Sequence, residues 1–479
     1  MSPIQIPSPL ILEVRKENAW DGDLMIVPVS APVKNSPDKP GQKIGDSLLV
    51  QGKNSQLRLS LGVAENISTK GIRKAGQAAA KWLIEHQASS VGLQSAAFAD
   101  FGVENALDAF CEGLLLGAFS FDRYKARRDE IGPVTVHLLV NGNSSTFQEK
   151  ITHLTTVIEG VNLAREWSHE PPNVINPVSL AERAQALAAE TGLQCTVFGE
   201  KELSEMGAEA ILSVGLGSNN PSQMIILKHP GHESRAKEPP VVVVGKAITF
   251  DTGGYSLKDT MGIVGMKFDK SGGMNVLGIM KAVATLNLPI PVIGIVAAAE
   301  NMISSDAYRP NDIIRSLSGK TIEIITTDAE GRMVLADALT YASTELKPRA
   351  IIDLATLTGG VLVALGNIRA GVMSTDDELS EALARAGDRT DELIWRLPLD
   401  EEYFELIRGH DSDLRNSAGI PLATSIVGGT FLKQFVMNDI PWAHIDIAGT
   451  ATIKKTVIGP RKSTGFGVRL ILDYLENLV

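Results

Sequence analysis

The stretch VVVVGKAITFDTGGYSLKDTMGIVGMKFD, Val241 to Asp269, sets three lysines and three aspartates among glycines directly after a strand-like run that carries no charge. A second cluster, TTDAEGR, follows another apolar strand and adds Asp328, Glu330 and Arg332. Carboxylates gathered at strand exits repel one another unless a cation neutralises them. One such acid reads best as a helix cap or a loop charge. Four of them, Asp251, Asp269, Asp328 and Glu330, read as the oxygen ligands of a hydrolytic metal pair, in which two cations activate a shared water and polarise a carbonyl.

Outward from these clusters the chain alternates helix and strand. Helical spacing over Ser179 to Glu190, Lys201 to Met206, Gly273 to Asn287 and Arg332 to Ser343 is interleaved with strands at Gln194 to Phe198, Met224 to Lys228, Val241 to Val244, Val292 to Ala298, Thr321 to Ile325 and Ala350 to Asp353. Uniformly apolar strands such as VVVV and VIGIVAAA suit a sheet covered by helices on both faces. In such sheets ligands lie beyond the carboxyl ends of the strands, and Lys246, Asp251, Asp328, Glu330 and Thr356 all follow expected ends.

The first part of the chain shows a smaller α/β pattern: strands at Leu10 to Val14, Asp23 to Val29 and Val134 to Leu139, helices at Gly71 to Gln87 and Asn105 to Phe119, and a surface loop from Pro32 to Gly45. Apolar residues at Leu154, Val157, Ile158, Val161 and Ala164 mark one helix face, which SHEPPNVINP terminates because paired prolines cannot continue it. The expected organisation is an N-terminal α/β domain over residues 1–165 with a role in assembly. A larger catalytic α/β domain with a mostly parallel, helix-covered sheet follows over residues 166–479.

Composition narrows the partners. The chain has 479 residues, 44% hydrophobic and 21% charged, with a formal net charge of -11. That balance suits a globular protein with a large core, and the negative charge disfavours nucleic acid and anionic lipid. Cys111 and Cys195 stand alone, which excludes a disulfide framework. The segment MSPIQIPSPLILEV has no export pattern, and the longest apolar run, Pro289 to Ala299, is too short for a bilayer. A cytoplasmic location is expected.

Two readings stand open at Lys246. Burial and adjacent cations lower an ammonium pKa and make a neutral amine available as a ligand, whereas an ion pair with Asp251 would keep it charged. Lys258, after the flexible TGGYS turn, is either a solvated loop lysine or a donor to a developing oxyanion. Arg332 sits near a helix start, where cations are disfavoured, and so reads as an anion holder. TGG at Thr358 to Gly360 reads either as backbone groups offered to a substrate or as a tight turn alone. Three other patterns fail. SGKT at Ser318 to Thr321 has Ile314 at the glycine position of a phosphate loop. GYSLK at Gly254 to Lys258 ends in lysine rather than the glycine of a nucleophile elbow. His444 in WAHIDIAGT reads as a packed strand residue.

These residues resemble the leucyl aminopeptidase family, the dinuclear-metal cytosol aminopeptidases. The signature NTDAEGR of that family is matched by TTDAEGRMVLADAL (Thr326 to Leu339), and its VGKG-TFD-GG-S-K block by VGKAITFDTGGYSLK (Val244 to Lys258). EPPN (Glu170 to Asn173), AENM (Ala299 to Met302), DLATLTGG (Asp353 to Gly360) and RNSAG (Arg415 to Gly419) extend the likeness over most of the chain after about Glu112. The resemblance implies that Lys246, Asp251, Asp269, Asp328 and Glu330 bind two divalent ions, manganese or zinc, with Asp251 and Glu330 bridging. It implies that Lys258 and Arg332 are catalytic, with bicarbonate held at Arg332. A substrate pocket at Met266, Thr356, Leu357 and Gly359 is implied too, as are short peptide substrates and a homohexamer. Met266 and Leu357 suggest a preference for apolar, leucine-like N-terminal residues. The chain departs from the family at Thr326, Ala247, Lys270 and Asn275. A two-metal phosphoesterase would use the same acids but call for more cations, and a catalytically silent scaffold would have no need of Lys258 and Arg332.

Overall fold

The computed structural model describes residues 9–22, 24–29, 47–51, 57–62, 67–126, 132–454 and 461–479. The chain divides into two compact units, residues 4–158 and 159–479. The expected loop from Pro32 to Gly45 lies outside the described residues.

In the first unit, β1 (Leu10–Lys16), β2 (Leu24–Val29), β3 (Ser47–Gln51), β4 (Leu57–Gly62), β5 (Ser90–Gln94) and β6 (Val134–Val140) form one sheet in the order β1-β6-β5-β2-β4-β3, parallel except for β3 with β4. Two helices, α1 (Thr69–Glu85) and α2 (Ala106–Gly117), belong to this unit. Their close contact depends on glycine: a Cβ on Gly113 would stand 2.1 Å from the carbonyl oxygen of Arg73. A buried Arg73–Glu112 pair at 2.5 Å crosses the same contact.

Helix α3 (Ser144–His169) ends one residue before Glu170 and the paired prolines, as their backbone chemistry requires. The second unit then runs through α4 (Pro177–Thr191), β7 (Gln194–Phe198), α5 (Glu200–Met206), α6 (Glu209–Gly215), β8 (Gln223–His229), β9 (Val241–Asp251), α7 (Thr260–Ile263), α8 (Ser271–Thr285) and β10 (Val292–Asn301). It continues with β11 (Ile313–Arg315), β12 (Thr321–Glu323), α9 (Glu330–Glu345), β13 (Ala350–Ala355), α10 (Gly359–Leu365), β14 (Ala370–Ser374), α11 (Asp377–Thr390) and β15 (Ile394–Arg396). The chain closes with β16 (Leu414–Arg415), α12 (Thr424–Lys433), β17 (Trp442–Asp446) and α13 (Val468–Glu476). Asn176 caps α4 through Ser179 with Pro177 in its first turn, the chemistry that the NP dipeptide supplies.

The large sheet has the order β15-β14-β17-β13-β9-β10-β8-β7. Its centre, β17-β13-β9-β10, is parallel, and β8, β7 and the β14–β17 pairing are antiparallel. Even-numbered residues of β9, Val242, Val244 and Ile248, join the core made with α6, α9 and α12. On the other face Gly245 lies against Gly272 and Gly273 of α8, where a Cβ would stand 2.6 Å from backbone.

Two expectations need correction. The apolar run ends at Val244, but β9 continues to Asp251 because Lys246, Ala247 and Ile248 keep pairing with Ala297, Ala298 and Ala299 of β10. Lys246 is therefore an interior strand residue. The strand before TTDAEGR, β12, belongs to a separate three-stranded sheet, β11-β12-β16. Asp328 and Glu330 thus reach the site from a loop and a helix start, not from the large sheet.

Candidate metal centre

Parallel pairing of β10, β9 and β13 brings their carboxyl ends to one sheet edge. Asp251 ends β9, Asn301 ends β10 opposite it in register, and Thr356 follows β13. Asp269 comes from the short 3-10 turn Met266–Lys270 that leads into α8, and Glu330 opens α9. Ligand-bearing atoms of Asp251, Asp328 and Glu330 lie within 4.8 Å of one another.

Two lysines neutralise part of this charge. Lys246 Nζ contacts Asp269 Oδ1 and Glu330 Oε1, each at 2.9 Å, and donates to the Thr356 carbonyl at 2.9 Å. Its partner is therefore not Asp251, which pairs with Lys258 at 2.6 Å. Lys258 also bonds Asp328. Gly331 makes room for Lys246: a Cβ there would stand 2.6 Å from its Nζ.

The electrostatics are those of crowded acids. Burial, then Glu330, pushes Asp251 up to about 6. Burial pushes Asp269 up to about 8, against the pull of Lys246. Asp328, on the open side, is raised by burial and by Glu330. Burial opposes ionisation of Glu330, but Lys246 and Lys258 outweigh it and hold its pKa below the usual value. For Lys246 burial lowers the pKa, yet Asp269, Glu330 and Asp251 prevail and raise it, so without metal the amine is an ammonium. Burial brings Arg332 down to about 10.

The acids fit divalent cations. Four carboxylates, Asp251, Asp269, Asp328 and Glu330, face two ammonium groups, and Asp269 Oδ2 is buried without a hydrogen-bond partner. A buried carboxylate oxygen with no donor carries a desolvation cost that a bound cation removes.

A scaffold of polar residues fixes the acids, and residue-type reasoning missed it. Asn301 Nδ2 donates to Asp251 Oδ1 at 2.9 Å and to the Thr327 carbonyl at 3.0 Å, and Gly253 N donates to the same Asp251 oxygen at 2.8 Å. Thr327 Oγ1 donates to the Gly253 carbonyl at 2.6 Å and accepts from Ser256 N at 2.8 Å, which ties the two acid-bearing loops together. Asn416 clasps the loop between Ile325 and Thr326. Thr326 Oγ1 accepts from Asp328 N at 3.2 Å, so this departure still turns the loop through its side chain. Asn301 and Asn416 stand in blocks quoted above only for resemblance. The signal is positional: Asn301 is an amide at the strand end facing Asp251, and Asn416 is an amide directly after β16.

The remaining expected residues sit around this cluster. Arg332, buried on α9, donates through one terminal nitrogen to the Asn416 carbonyl at 2.7 Å, and its Nε has no partner. Thr356 Oγ1 donates to Asp269 Oδ1 at 2.7 Å. Leu357 is half-buried against the core, with its N–H on Asp446 Oδ1 at 3.1 Å. Met266 opens the 3-10 turn that holds Asp269, and Gly359 begins α10 in open space. Asn275, buried on α8, donates to the Phe466 carbonyl at 2.7 Å. Ala247 is buried against Gly273. His444, fully buried on β17, bonds Asp353 at 2.5 Å. Among the described residues no helix is long and apolar enough to cross a membrane.

The chain matches the cytosol aminopeptidase family, catalytic domain, over residues 162–472, and the N-terminal domain of the same family over residues 48–128. It is 42% identical over 428 residues to a probable cytosol aminopeptidase of Syntrophotalea carbinolica, covering 88% of this chain and 85% of the relative. The match to the probable cytosol aminopeptidase of Geobacter sulfurreducens is 46% over 372 residues, 77% and 74% of the two chains. Among solved structures, the bottromycin maturation enzyme BotP in complex with Mn superposes with a TM-score of 0.86 at 28% identity, covering 95% of this chain and 99% of that one. With its acids gathered at the carboxyl edge of a central parallel sheet, the chain belongs to the cytosol aminopeptidase family of dinuclear metallopeptidases and is a metal-dependent aminopeptidase.

Proposed function

We propose that the chain removes apolar, leucine-like N-terminal residues from short peptides, with Lys246, Asp251, Asp269, Asp328 and Glu330 holding two manganese or zinc ions, Asp251 and Glu330 between them. The observation that carries this reading is the convergence of Asp251, Asp328 and Glu330 within 4.8 Å, beside the unpartnered Asp269 Oδ2. Two bound cations would supply an activated water as nucleophile and a Lewis acid for the scissile carbonyl. Lys246 would serve as a ligand by giving up its proton once cations neutralised its carboxylate partners, since metal binding and ligand deprotonation are linked.

Lys258, on a glycine-rich turn and in reach of Asp251 and Asp328, donates to the carbonyl oxygen as negative charge develops there. Arg332 Nε, buried and unpartnered, holds bicarbonate, which shuttles the proton. Thr356 and Gly359 line the peptide backbone's path, and Met266 and Leu357 form the apolar side of the pocket. The protein works in the cytoplasm as a homohexamer, and residues 1–165 serve assembly.

The test is hydrolysis of leucine p-nitroanilide by protein stripped of metal and reloaded with manganese or zinc, beside a phosphomonoester and an N-acetylated leucine anilide. Turnover of the free-amine anilide alone is expected. Equal turnover of the acetylated compound, or preference for the phosphomonoester, would overturn the assignment.

A further inference from the structure

The last turn of α3 and the turn carrying Asp269 meet at one buried ammonium. Helix α3 ends at His169, so its final carbonyls have no partners within the helix and form the negative end of its dipole. Lys270 Nζ donates to the carbonyls of Ser168 at 3.2 Å, Glu170 at 2.9 Å and Lys267 at 2.5 Å, and Lys270 is 0% exposed. Lys267 Nζ takes the intervening His169 carbonyl. Three converging backbone oxygens use every proton of an ammonium, and no neutral side chain can satisfy all three. The same all-carbonyl shell is what protein sites offer a hard or monovalent cation.

We propose that Lys270 is a tethered cation: its ammonium fills a cage of three backbone carbonyls as a small free cation would, and so positions the adjoining Asp269. The proposal rests on the reading of Asp269 as a metal ligand. Asp269 is fixed from its other side by Thr356 and Lys246, so the cage sets how its turn meets those partners. Lys270 is a positioning residue and touches no substrate.

The experiment uses the full chain, stripped of divalent metal and kept in tetramethylammonium chloride, whose cation is too large for the cage. Mn2+ is titrated calorimetrically into wild type, Lys270→Ala and Lys270→Met. Wild type is expected to bind two Mn2+ per chain whether or not ammonium or methylammonium is present. Lys270→Ala should bind one of the two about 10–100-fold more weakly and regain it, saturably, when ammonium or methylammonium is added. Lys270→Met, whose side chain fills the cage, should stay weak. Unchanged Mn2+ binding in Lys270→Ala, or a deficit indifferent to small cations, overturns the proposal. If Lys270→Ala does not stay folded at assay temperature, its melting temperature in ammonium against tetramethylammonium reads the cage directly. A rise in the variant alone supports the proposal, and equal melting in both salts sinks it. Wild type binding fewer than two Mn2+ would instead refute the ligand assignment, while the melting response still reports on the cage.

Discussion

At the residue scale the centre separates groups that hold metal from groups that act on substrate, and two substitutions test the separation. Lys258 sits between Asp251 and Asp328 as their counter-charge, in competition with any cation bound there. Lys258→Met should therefore lower kcat by about 10²–10³-fold, the loss expected for an oxyanion donor, with Mn2+ affinity equal to or above that of wild type. Steady-state kinetics paired with metal titration checks this, and a matching loss of metal would reassign Lys258 to structure. Asn301 is the converse case. It orients Asp251 and the Thr327 loop through two bonds, so Asn301→Ala should weaken metal binding and activity together, by about 10–100-fold. The acids, both lysines and Arg332 were legible in the sequence as candidates because charges cluster there after apolar runs, whether on the strand itself (Lys246, Asp251), in a following loop or turn (Lys258, Asp269, Asp328) or at a helix start (Glu330, Arg332). Asn301, Thr327 and Asn416 were not, since a neutral polar side chain looks the same in a turn as in a scaffold until its partners are known.

At the element scale the periodicities marked about half of the helices and strands, none beyond β13, and two of the strand readings failed for separate physical reasons. Strand β9 outruns its apolar signal by seven residues, Gly245 to Asp251, because backbone pairing with β10 persists where side chains have turned to chemistry. Strand β12 has an apolar signal yet belongs to the small sheet, since partner choice is a long-range property that no local pattern carries. The SGG start of α8 is a packing device. A Cβ on Gly272 would lie 2.0 Å from the Leu354 carbonyl oxygen, so Gly272→Ala must lift α8 from the sheet beside Asp269. Destabilisation of about 1–3 kcal/mol is expected, the range for overpacking, measured by denaturant unfolding of metal-free protein. Asp337 ties α9 to its surroundings: its two oxygens accept from Ile211 N at 2.9 Å and Leu317 N at 2.8 Å. Burial raises its pKa from 3.8 to about 7. A raised folded-state pKa means stability that is complete below 3.8 and lost as pH climbs through about 7. Asp337→Asn, unable to accept both bonds, should be less stable than wild type by about 1–3 kcal/mol at pH 5, and the gap should narrow by pH 8. Unfolding curves at both pH values decide it, and a gap that widens with pH would contradict the buried-charge account.

At the scale of the whole molecule the division into residues 4–158 and 159–479 places every proposed ligand and catalytic residue in one unit. Metal binding to the native state stabilises whatever cooperative block contains the ligands, by about 2.7 kcal/mol at a free concentration one hundred times Kd. Added Mn2+ should consequently slow hydrogen exchange in β9, the Met266–Lys270 turn, the start of α9 and the loop after β13. Exchange in β1, β5, β6, α1 and α2 should stay as it was in the stripped protein. The reason is physical continuity: Asp251 is anchored to the large sheet through Asn301, Asp269 through Thr356, the Asp328 loop through Thr327 and Glu330 through Lys246, and none of those bonds leads into the six-stranded sheet. Exchange mass spectrometry on chelated and Mn2+-loaded protein at one pH measures this. Protection spread evenly over both units would show that the metal centre and the first unit unfold as one block, and would tie the first unit to the stability of the active site.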